Sequence, residues 1–245
     1  MKISRFFQND NFNIDQEYDL NPANHRHAIQ VLRLKLGESL IVFNGRGGEY
    51  LATLVIAEKR KSRILIHSFD SVNRESPLKI TLVLAMIKSD KMDFSIQKAI
   101  ELGVSTIQPV YTKRSVIKIK ENRLEKKMQH WEAVCLSACE QSGRTQIPIV
   151  KAPEDIEQFI NKPSSDFKIT MLPSAQRKID DLEDIDSCEQ GISLFIGPEG
   201  GFTPDEEKLM SQAGLTSISF GPRILRAETA AIAGITACQQ RWGDL

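Results

Sequence analysis

Phe-Gly-Pro-Arg-Ile-Leu-Arg-Ala-Glu-Thr-Ala, residues 220–230, is the stretch on which the interpretation of the fold depends. Residues 218–220 form a short apolar run typical of a strand, and the alanine-rich residues 228–242 predict a helix. Gly221-Pro222 interrupts both patterns and predicts a turn. Because two arginines and a glutamate follow this turn near the start of a helix, the stretch is typical of a binding loop at the end of a parallel sheet.

A second loop of the same kind precedes it. Gly197-Pro198-Glu199-Gly200-Gly201 follows residues 192–196, an apolar run that predicts a buried strand. Glycines allow the backbone to approach a ligand or another loop closely. The two loops predict a site built largely from backbone, although glycine and proline acting only as turn formers would explain the same residues.

The first part of the chain predicts a compact β-barrel, because short strands over residues 39–43, 50–57 and 63–69 accompany one short helix that begins near residue 24 and ends before Gly37. Asn44-Gly45 predicts a hairpin between the first two strands. Residues 71–78 are polar, end near a proline and predict a linker. We therefore expect two domains, residues 1–72 and 73–245.

Strands alternate with helices in the second domain, which predicts a parallel sheet covered on both faces. Residues 79–87 form its first buried strand, and Ser89/Asp90 are expected to cap the helix that follows. Thr203, followed by Pro204 and Glu206, predicts a capping box, and Asn122 with Glu125 has the same spacing. The further strands are expected at residues 106–110, 147–150, 168–172 and 191–196, and the further helices from residue 123 and over residues 154–160.

Composition limits the class of protein. The chain has 245 residues, of which 41% are hydrophobic and 26% charged, as in an ordinary soluble protein. No apolar run is long enough to span a membrane and no signal peptide begins the chain, so we expect a cytoplasmic protein. The cysteines lack metal-binding spacing, and we expect no metal site and small buried thiols at Cys135, Cys139, Cys188 and Cys238.

The net charge of zero conceals an uneven distribution. Residues 1–72 carry 10 lysines and arginines against 8 aspartates and glutamates, and residues 73–150 carry 13 against 8. Residues 151–245 carry 9 against 16. An anionic partner is therefore expected to contact the first 150 residues, unless the surplus only marks solvated faces.

The motifs exclude several classes of enzyme. Neither glycine loop matches a dinucleotide fingerprint or a Walker loop. The sequence contains no nucleophile elbow and no cysteine with an obvious histidine partner, so covalent catalysis is not indicated. The remaining interpretation is a pair of loops suited to a nucleoside-like ligand, close to Glu199, Arg223, Arg226 and Glu228.

These motifs carry a resemblance. With supporting stretches at residues 98–104 and 140–144, the loops at residues 197–201 and 221–230 resemble those of the family that methylates N3 of uridine 1498 in 16S ribosomal RNA, within the SPOUT superfamily. The similarity extends over the whole chain. One departure is Lys113-Arg114-Ser115, where the family usually has an acidic residue before Arg-Ser.

The resemblance implies an α/β protein with an N-terminal PUA-like, RNA-binding β-barrel and a C-terminal SPOUT α/β domain that contains a trefoil knot. It also implies a homodimer that acts on 16S RNA or on the assembled small ribosomal subunit, with S-adenosylmethionine bound among the knot loops. The cofactor-binding positions expected on this chain are Leu172, Ile196, Gly197, Gly201, Ile218, Phe220, Gly221, Ile224, Leu225, Thr229 and Ala230.

The chemistry of uracil suggests which residues would take part in catalysis. N3 becomes a good nucleophile only after it loses its proton, so we expect Arg226 to stabilise charge on the neighbouring oxygens and Glu199 or Glu228 to accept the proton. A salt bridge for Arg226 and a helix N-terminal charge for Glu228 are the structural alternatives. The target base is expected to leave its stack. The expected phosphate contacts are Arg5, Arg26, Arg33, Lys59, Arg60, Lys61 and Arg63, although an exposed basic turn explains residues 59–63 equally well.

Two other functions share these features. A ribose 2′-O-methyltransferase would differ in the atom that it modifies. A non-catalytic RNA-binding protein would not need the charged residues of the last loop.

Overall fold

The computed structural model describes residues 3–185 and 190–245. Cys188 lies outside the described residues. Two compact units are present, one formed by residues 1–75 and 139–147 and the other by residues 76–138 and 148–245. The predicted division after residue 72 did not foresee that residues 139–147 belong with the first unit, and the division into two domains stays a prediction.

The first unit contains a five-stranded sheet in the order β1-β3-β4-β5-β2. Its strands are β1 (Ser4–Phe7), β2 (Glu17–Asp19), β3 (Ser39–Phe43), β4 (Glu49–Ala57) and β5 (Ser62–Asp70). β1 pairs with β3 in parallel, and the other pairs are antiparallel. Alternate residues face a core that includes Phe6, Leu40, Val42, Leu54, Ile64 and Ile66. The three predicted strands are present, whereas closure of the sheet into a barrel stays a prediction.

The helical segment of this unit differs from the prediction. α1 (Pro22–His25) begins at Asn21, whose side chain accepts a hydrogen bond from the Asn24 backbone, and continues as a π-helix over Arg26–Val31. The helical conformation ends well before Gly37. Arg33 has a φ of 56°, a left-handed conformation that is unusual for a residue with a side chain.

Buried ion pairs stabilise the first unit. The Arg5 guanidinium lies 2.9 Å from Glu49 and also donates hydrogen bonds to the backbone carbonyls of Cys139, Glu140 and Arg144. Arg74 donates to the same glutamate. Burial raises the pKa of Glu49, but the hydrogen bonds and charges of Arg74 and Arg5 outweigh burial and leave that pKa below its ordinary value. Arg5 is thus a structural residue of the unit.

The second unit contains a fully parallel sheet in the order β12-β10-β11-β6-β7-β8, with β9 paired to β7. Its strands are β6 (Ile80–Ala85), β7 (Thr106–Tyr111), β8 (Ile149–Val150), β9 (Glu154–Asp155), β10 (Phe167–Met171), β11 (Ile192–Ile196) and β12 (Thr216–Ile218). β11 is buried along its whole length, as its continuous apolar run predicts. Because all pairs are parallel, the carboxyl ends of the strands lie at one edge.

The helices of this unit follow the strands. They are α2 (Ser89–Glu101), α3 (Glu121–Ser142), α4 (Ile156–Ile160), α5 (Pro204–Gln212) and α6 (Ala227–Trp242), with a 3₁₀ turn at Ile179–Asp181; α3 passes into the first unit at Cys139. α6 packs closely on the sheet, because a Cβ atom added at Gly234 would lie 2.7 Å from the Met171 sulfur. Within the described residues, no helix is long and apolar enough to cross a bilayer.

One of the predicted caps is confirmed and two are wrong. At α5 both hydrogen bonds of the capping box between Thr203 and Glu206 are formed. The N-cap residue of α2 is Lys88, whose side chain forms no capping hydrogen bond, so Ser89 and Asp90 lie inside the helix. Asn122 lies inside α3, because that helix already begins at Glu121.

The cysteines that the structure describes, Cys135, Cys139 and Cys238, are buried in the core. Burial raises the pKa of Cys238 to about 12, so its thiol stays protonated. Among the described residues, no group of three or more histidine, cysteine, aspartate or glutamate side chains is arranged to hold a metal ion.

Candidate functional site

A cleft of about 290 Å³ lies at the carboxyl edge of the parallel sheet. It is bounded by the segments that follow β10, β11 and β12, the last two of which are the glycine loops of the sequence. Its described lining is Arg114, Met171, Leu172, Pro173, Ile196, Gly197, Pro198, Glu199, Gly200, Gly201, Phe202, Glu207, Ile218, Phe220, Gly221, Arg223, Ile224, Leu225, Ala227 and Ala230. A crevice at this edge is where parallel α/β sheets bind ligands.

The first glycine loop is a turn closed by a hydrogen bond from the Gly201 backbone to the Pro198 carbonyl at 2.8 Å. Gly201 has a φ of +69°, which strongly favours glycine. A Cβ atom at this position would meet nothing within 4 Å, so the α-carbon faces open space and the backbone remains accessible. Gly197 is different, because a Cβ atom there would press on the Phe202 ring at 3.1 Å.

Arg114 supports this loop from the segment after β7. Its Nη1 donates hydrogen bonds to the Gly200 carbonyl at 2.7 Å and to the Phe202 carbonyl at 3.1 Å. The neighbouring Lys113 backbone donates to the Glu206 carboxylate at 2.8 Å, and Glu206 also accepts from Thr203. The end of β7 and the glycine loop are therefore held together by polar contacts that include a charged group on each side.

The second loop is held differently. Ser219 donates its backbone N–H to the Arg177 carbonyl at 2.9 Å, which joins the loop to the segment after β10. Gly221 has a φ of +71°, as the turn requires. Ile224 is 85% exposed although it is apolar, and its neighbour Leu225 is partly buried.

The structure brings most of the predicted cofactor positions together. Those that line the cleft are Leu172, Ile196, Gly197, Gly201, Ile218, Phe220, Gly221, Ile224, Leu225 and Ala230. Thr229 is exposed on α6 and is not among the described lining residues. Their role in binding a cofactor stays a prediction, which the grouping supports.

Two of the predicted catalytic residues are accessible. Glu199 is exposed and lines the cleft. Arg226 is the N-cap residue of α6, with an exposed side chain that forms no hydrogen bond or ion pair with any residue the structure describes. It lies between Leu225 and Ala227, which both line the cleft. This placement does not support the alternative of a salt bridge for Arg226.

Glu228 has a different environment. It is buried in the first turn of α6, and its carboxylate lies 2.8 Å from the Lys91 ammonium group. Burial raises the pKa of Glu228, but the hydrogen bond from Lys91, its own backbone N–H and the charges of Lys91 and Arg226 outweigh burial and lower that pKa. A buried, paired carboxylate of low pKa is a poor proton acceptor at neutral pH. The structure therefore favours the alternative of a helix N-terminal charge.

Four predicted RNA contacts lie together in the first unit. Arg26, Lys59, Arg60 and Lys61 line a shallow depression of about 520 Å³, together with His25 and Asp19. Acidic residues partly neutralise this surface, because Asp19 lies 3.7 Å from Lys61 and 2.6 Å from Arg63. Arg63 also pairs with Glu17.

The other two predicted RNA contacts, Arg33 and Arg5, differ in how exposed their side chains are to solvent. Arg33 is exposed in its left-handed turn. The structure does not favour the prediction for Arg5, because its side chain is only 8% exposed and donates to Glu49 and to three carbonyls. A single arginine near the start of a chain gives no sign of a partner 44 residues away.

Sequence reasoning missed several residues of the site. The main ones are Arg114, Met171, Pro173, Phe202, Glu207 and, beside Glu228, Lys91. Arg114 could have been found from the rule used for the two loops, because it follows the carboxyl end of another strand of the parallel sheet. Lys91 gave no such signal, since its pairing depends on how α2 packs against α6.

Both the sequence and the fold are similar to those of known proteins. Residues 74–239 match the family model for an RNA methyltransferase domain, and residues 20–66 match that for an RNA methyltransferase PUA domain. The ribosomal RNA small subunit methyltransferase E of Buchnera aphidicola subsp. Schizaphis graminum is 37% identical, over 100% of this chain and 98% of that protein. The protein of the same name from Bacillus subtilis is 32% identical, over 86% of this chain and 85% of its own length.

Solved structures agree with these relatives. A Legionella pneumophila methyltransferase in complex with the cofactor SAM has a TM-score of 0.95 and 37% identity, with 100% of both chains covered. The ribosomal RNA small subunit methyltransferase E of Neisseria gonorrhoeae, bound to S-adenosyl methionine, has a TM-score of 0.91 and 36% identity, with 99% of both chains covered. With this similarity over its whole length, the chain belongs to the family of ribosomal RNA small subunit methyltransferases E.

Proposed function

We propose that this protein transfers the methyl group of S-adenosylmethionine to N3 of uridine 1498 in the 16S RNA of the small ribosomal subunit. The observation that carries the proposal is the cleft formed by the two glycine loops, which follow β11 and β12 of the same parallel sheet. Family membership supports methyl transfer to ribosomal RNA. The position of the target nucleotide rests on the sequence resemblance.

The residues of the cleft fit the proposed cofactor. Leu172, Ile196 and Ile218 provide an apolar surface of the kind that holds an adenine ring, and the loop backbones provide hydrogen-bonding groups beside it. Glu199 and Glu207 suit the positive groups of the cofactor, and Arg114 and Arg223 suit its carboxylate. The volume of about 290 Å³ is near the lower end of small-molecule sites, which are roughly 300–1,000 Å³.

When bound, the cofactor supplies an activated methyl group on a sulfonium sulfur. The protein must hold N3 of the uracil in line with that methyl and remove the N3 proton. Arg226 is free to donate hydrogen bonds to the uracil oxygens, on which negative charge develops as N3 loses its proton. Glu199 is the accessible carboxylate that accepts the proton, directly or through water. A bond from N3 to carbon forms, and the bond from that carbon to sulfur breaks.

The first unit is proposed to hold the RNA. Arg26 and residues 59–61 form an exposed basic depression, which suits phosphate groups. The match of residues 20–66 to the PUA domain of RNA methyltransferases supports this role. The target base would leave its stack to reach the cleft, as bases do in other enzymes that modify them.

We also propose the finer features that the resemblance implies. They are a closed PUA-like barrel, a trefoil knot formed by the segments that carry the two glycine loops, a homodimer as the active form, and work in the cytoplasm on 16S RNA or the assembled subunit. The exposed Ile224 beside the cleft is the kind of apolar side chain that a second copy would cover.

One assay tests the proposal. Labelled S-adenosylmethionine is incubated with the protein and either unmethylated small subunits or naked 16S RNA, and the modified nucleotide and atom are mapped. Label at N3 of one uridine is expected. Label on a ribose oxygen would instead indicate a 2′-O-methyltransferase, and no cofactor-dependent label on either substrate would indicate a non-catalytic RNA-binding protein.

A further inference from the structure

A second basic surface lies on the unit that contains the cleft. Residues 113–127 carry 7 lysines and arginines against 2 glutamates, a surplus of five, which equals the whole surplus of residues 73–150. The C-terminal part of the chain, residues 151–245, is strongly acidic. The excess of positive over negative residues in residues 73–150 is therefore concentrated in one short stretch.

The backbone presents part of this stretch to solvent. Between Thr112 and the start of α3 the chain alternates, with Ile117 and Ile119 half-buried and Lys118 and Lys120 exposed. The Ile119 backbone donates to the Tyr111 hydroxyl at 3.3 Å, and Thr112 and Ser115 join their side chains at 2.9 Å. These contacts fix the backbone on both sides of Ile117, and both lysines are exposed to solvent.

α3 extends the surface by one turn. Arg123 and Lys126 are exposed and three residues apart, so they are neighbours on one face of the helix. The four side chains of Lys118, Lys120, Arg123 and Lys126 form no ion pair with any residue that the structure describes. Lys127 differs from them, since it donates to Ser89 and pairs with Asp93.

The surface begins close to the cleft. Arg114, which lines the cleft, precedes Lys118 by four residues, a distance of at most about 14 Å along an extended chain. Val116, which is 73% exposed, lies between them and adds an apolar group next to the charges. Lys118 is therefore close enough to the cleft to contact RNA that extends out of it.

We propose that Lys118, Lys120, Arg123 and Lys126 form a second RNA-contacting surface, which binds the phosphates next to the target nucleotide. The proposal rests on the proposed function, because that function makes RNA the anionic partner. Lysines and arginines that bind phosphates displace the counterions condensed on the RNA, so each contact contributes to the salt dependence of binding.

The test compares two variants of the full-length protein. In the first, Lys118, Lys120, Arg123 and Lys126 are all changed to Gln. In the matched control, four exposed lysines elsewhere in the same unit are changed to Gln: Lys79, Lys151, Lys178 and Lys208. Binding of a labelled 16S RNA transcript that contains the target is measured at several salt concentrations, and S-adenosylmethionine affinity is measured by calorimetry.

The first variant is expected to bind RNA at least tenfold more weakly, with a salt slope smaller by about 3, while cofactor affinity stays unchanged. Equal RNA affinity and slope in both variants would overturn the proposal. A change in oligomeric mass with unchanged RNA affinity would also overturn it, because the surface would then contact a second copy. Failure of wild-type protein to methylate RNA would count against the proposed function alone, since binding is measured without turnover.

Discussion

The Lys91 ammonium group lies 2.8 Å from the carboxylate of Glu228, and this pair joins the first turns of α2 and α6. The carboxylate is buried, whereas the ammonium group is about one-third exposed. The pair fixes the start of the helix that Arg226 caps. The sequence predicted that Glu228 could accept a proton, whereas this pair indicates a structural role for it.

Glu228→Gln is expected to lower the free energy of unfolding at pH 7 by about 1 kcal/mol, because a partly exposed pair contributes little more than one charged hydrogen bond. The folded-state pKa of Glu228 lies below its ordinary value of about 4.5, so its contribution is present above that value and lost as pH falls through the folded-state pKa. The difference between wild type and variant should therefore shrink below pH 4.5. Urea unfolding at several pH values measures it.

The same variant separates the two roles of Glu228. With a structural role, methyl transfer should remain within a few-fold of wild type once the protein is folded. A loss of a hundredfold or more in the single-turnover rate, with cofactor affinity intact, would restore Glu228 as the proton acceptor.

Arg226→Ala is expected to lower the single-turnover rate of methyl transfer by about 10²–10³-fold, the usual effect of removing one donor that stabilises a developing oxyanion. Folding and cofactor affinity should be nearly unchanged, because its side chain forms no hydrogen bond or ion pair with the described residues. Lys208→Ala, on the exposed side of α5, is the control. Near-normal turnover in Arg226→Ala would contradict the assignment.

Arg114→Ala is expected to weaken the affinity for S-adenosylmethionine by about tenfold or more, since two charge-assisted hydrogen bonds to the first glycine loop are lost. Arg114→Lys should recover only part of this affinity, because the lysine ammonium group lies on a more flexible stem and is more strongly hydrated than a guanidinium. Lys113→Ala is the matched control, as only its backbone contacts Glu206. Calorimetry with the isolated protein gives the affinities, and equal values for Arg114→Ala and wild type would show that the loop holds its shape unaided.

Arg5→Ala is expected to destabilise the first unit by about 3 kcal/mol or more, because Glu49 would lose one of its two guanidinium partners while staying buried. Hydrogen exchange of the amides in β3–β5 reports this locally. The lowered pKa of Glu49 adds a pH dependence, in which the stability from the pair is lost as pH falls below about 4.5.

Arg5→Lys provides a folded variant for the question of RNA contact. It should leave the salt slope of RNA binding unchanged. A slope smaller by about one would mean that Arg5 reaches a phosphate after all.

Local signals predicted the second unit well. A continuous apolar run placed β11, and the Thr203–Glu206 pair placed the start of α5, because both depend on near neighbours in the chain. β1 and β2 were missed, since strands of four and three residues show too little alternation. The early start of α3 at Glu121 was missed because the first turn of this helix is polar and therefore lacks the apolar residues, spaced three or four apart, that indicate a helix.

The residues of the site also fall into those that local sequence signals predict and those that depend on distant partners. The two glycine loops were predictable, because clusters of glycine and proline after an apolar run indicate a turn. Lys91 and the buried Arg5 were not, because each owes its role to a partner that packing brings from more than 40 residues away.

The positions of the cleft residues along the chain also determine when the cleft can form during protein synthesis. Its lining is drawn from residues 114 to 230, and α6 ends three residues before the last residue of the chain. The first unit contains no residue beyond residue 147. At a synthesis rate of about 5–20 residues per second, roughly 4–17 seconds separate residue 147 from residue 230. All residues of the first unit are therefore synthesised several seconds before the last residues that line the cleft.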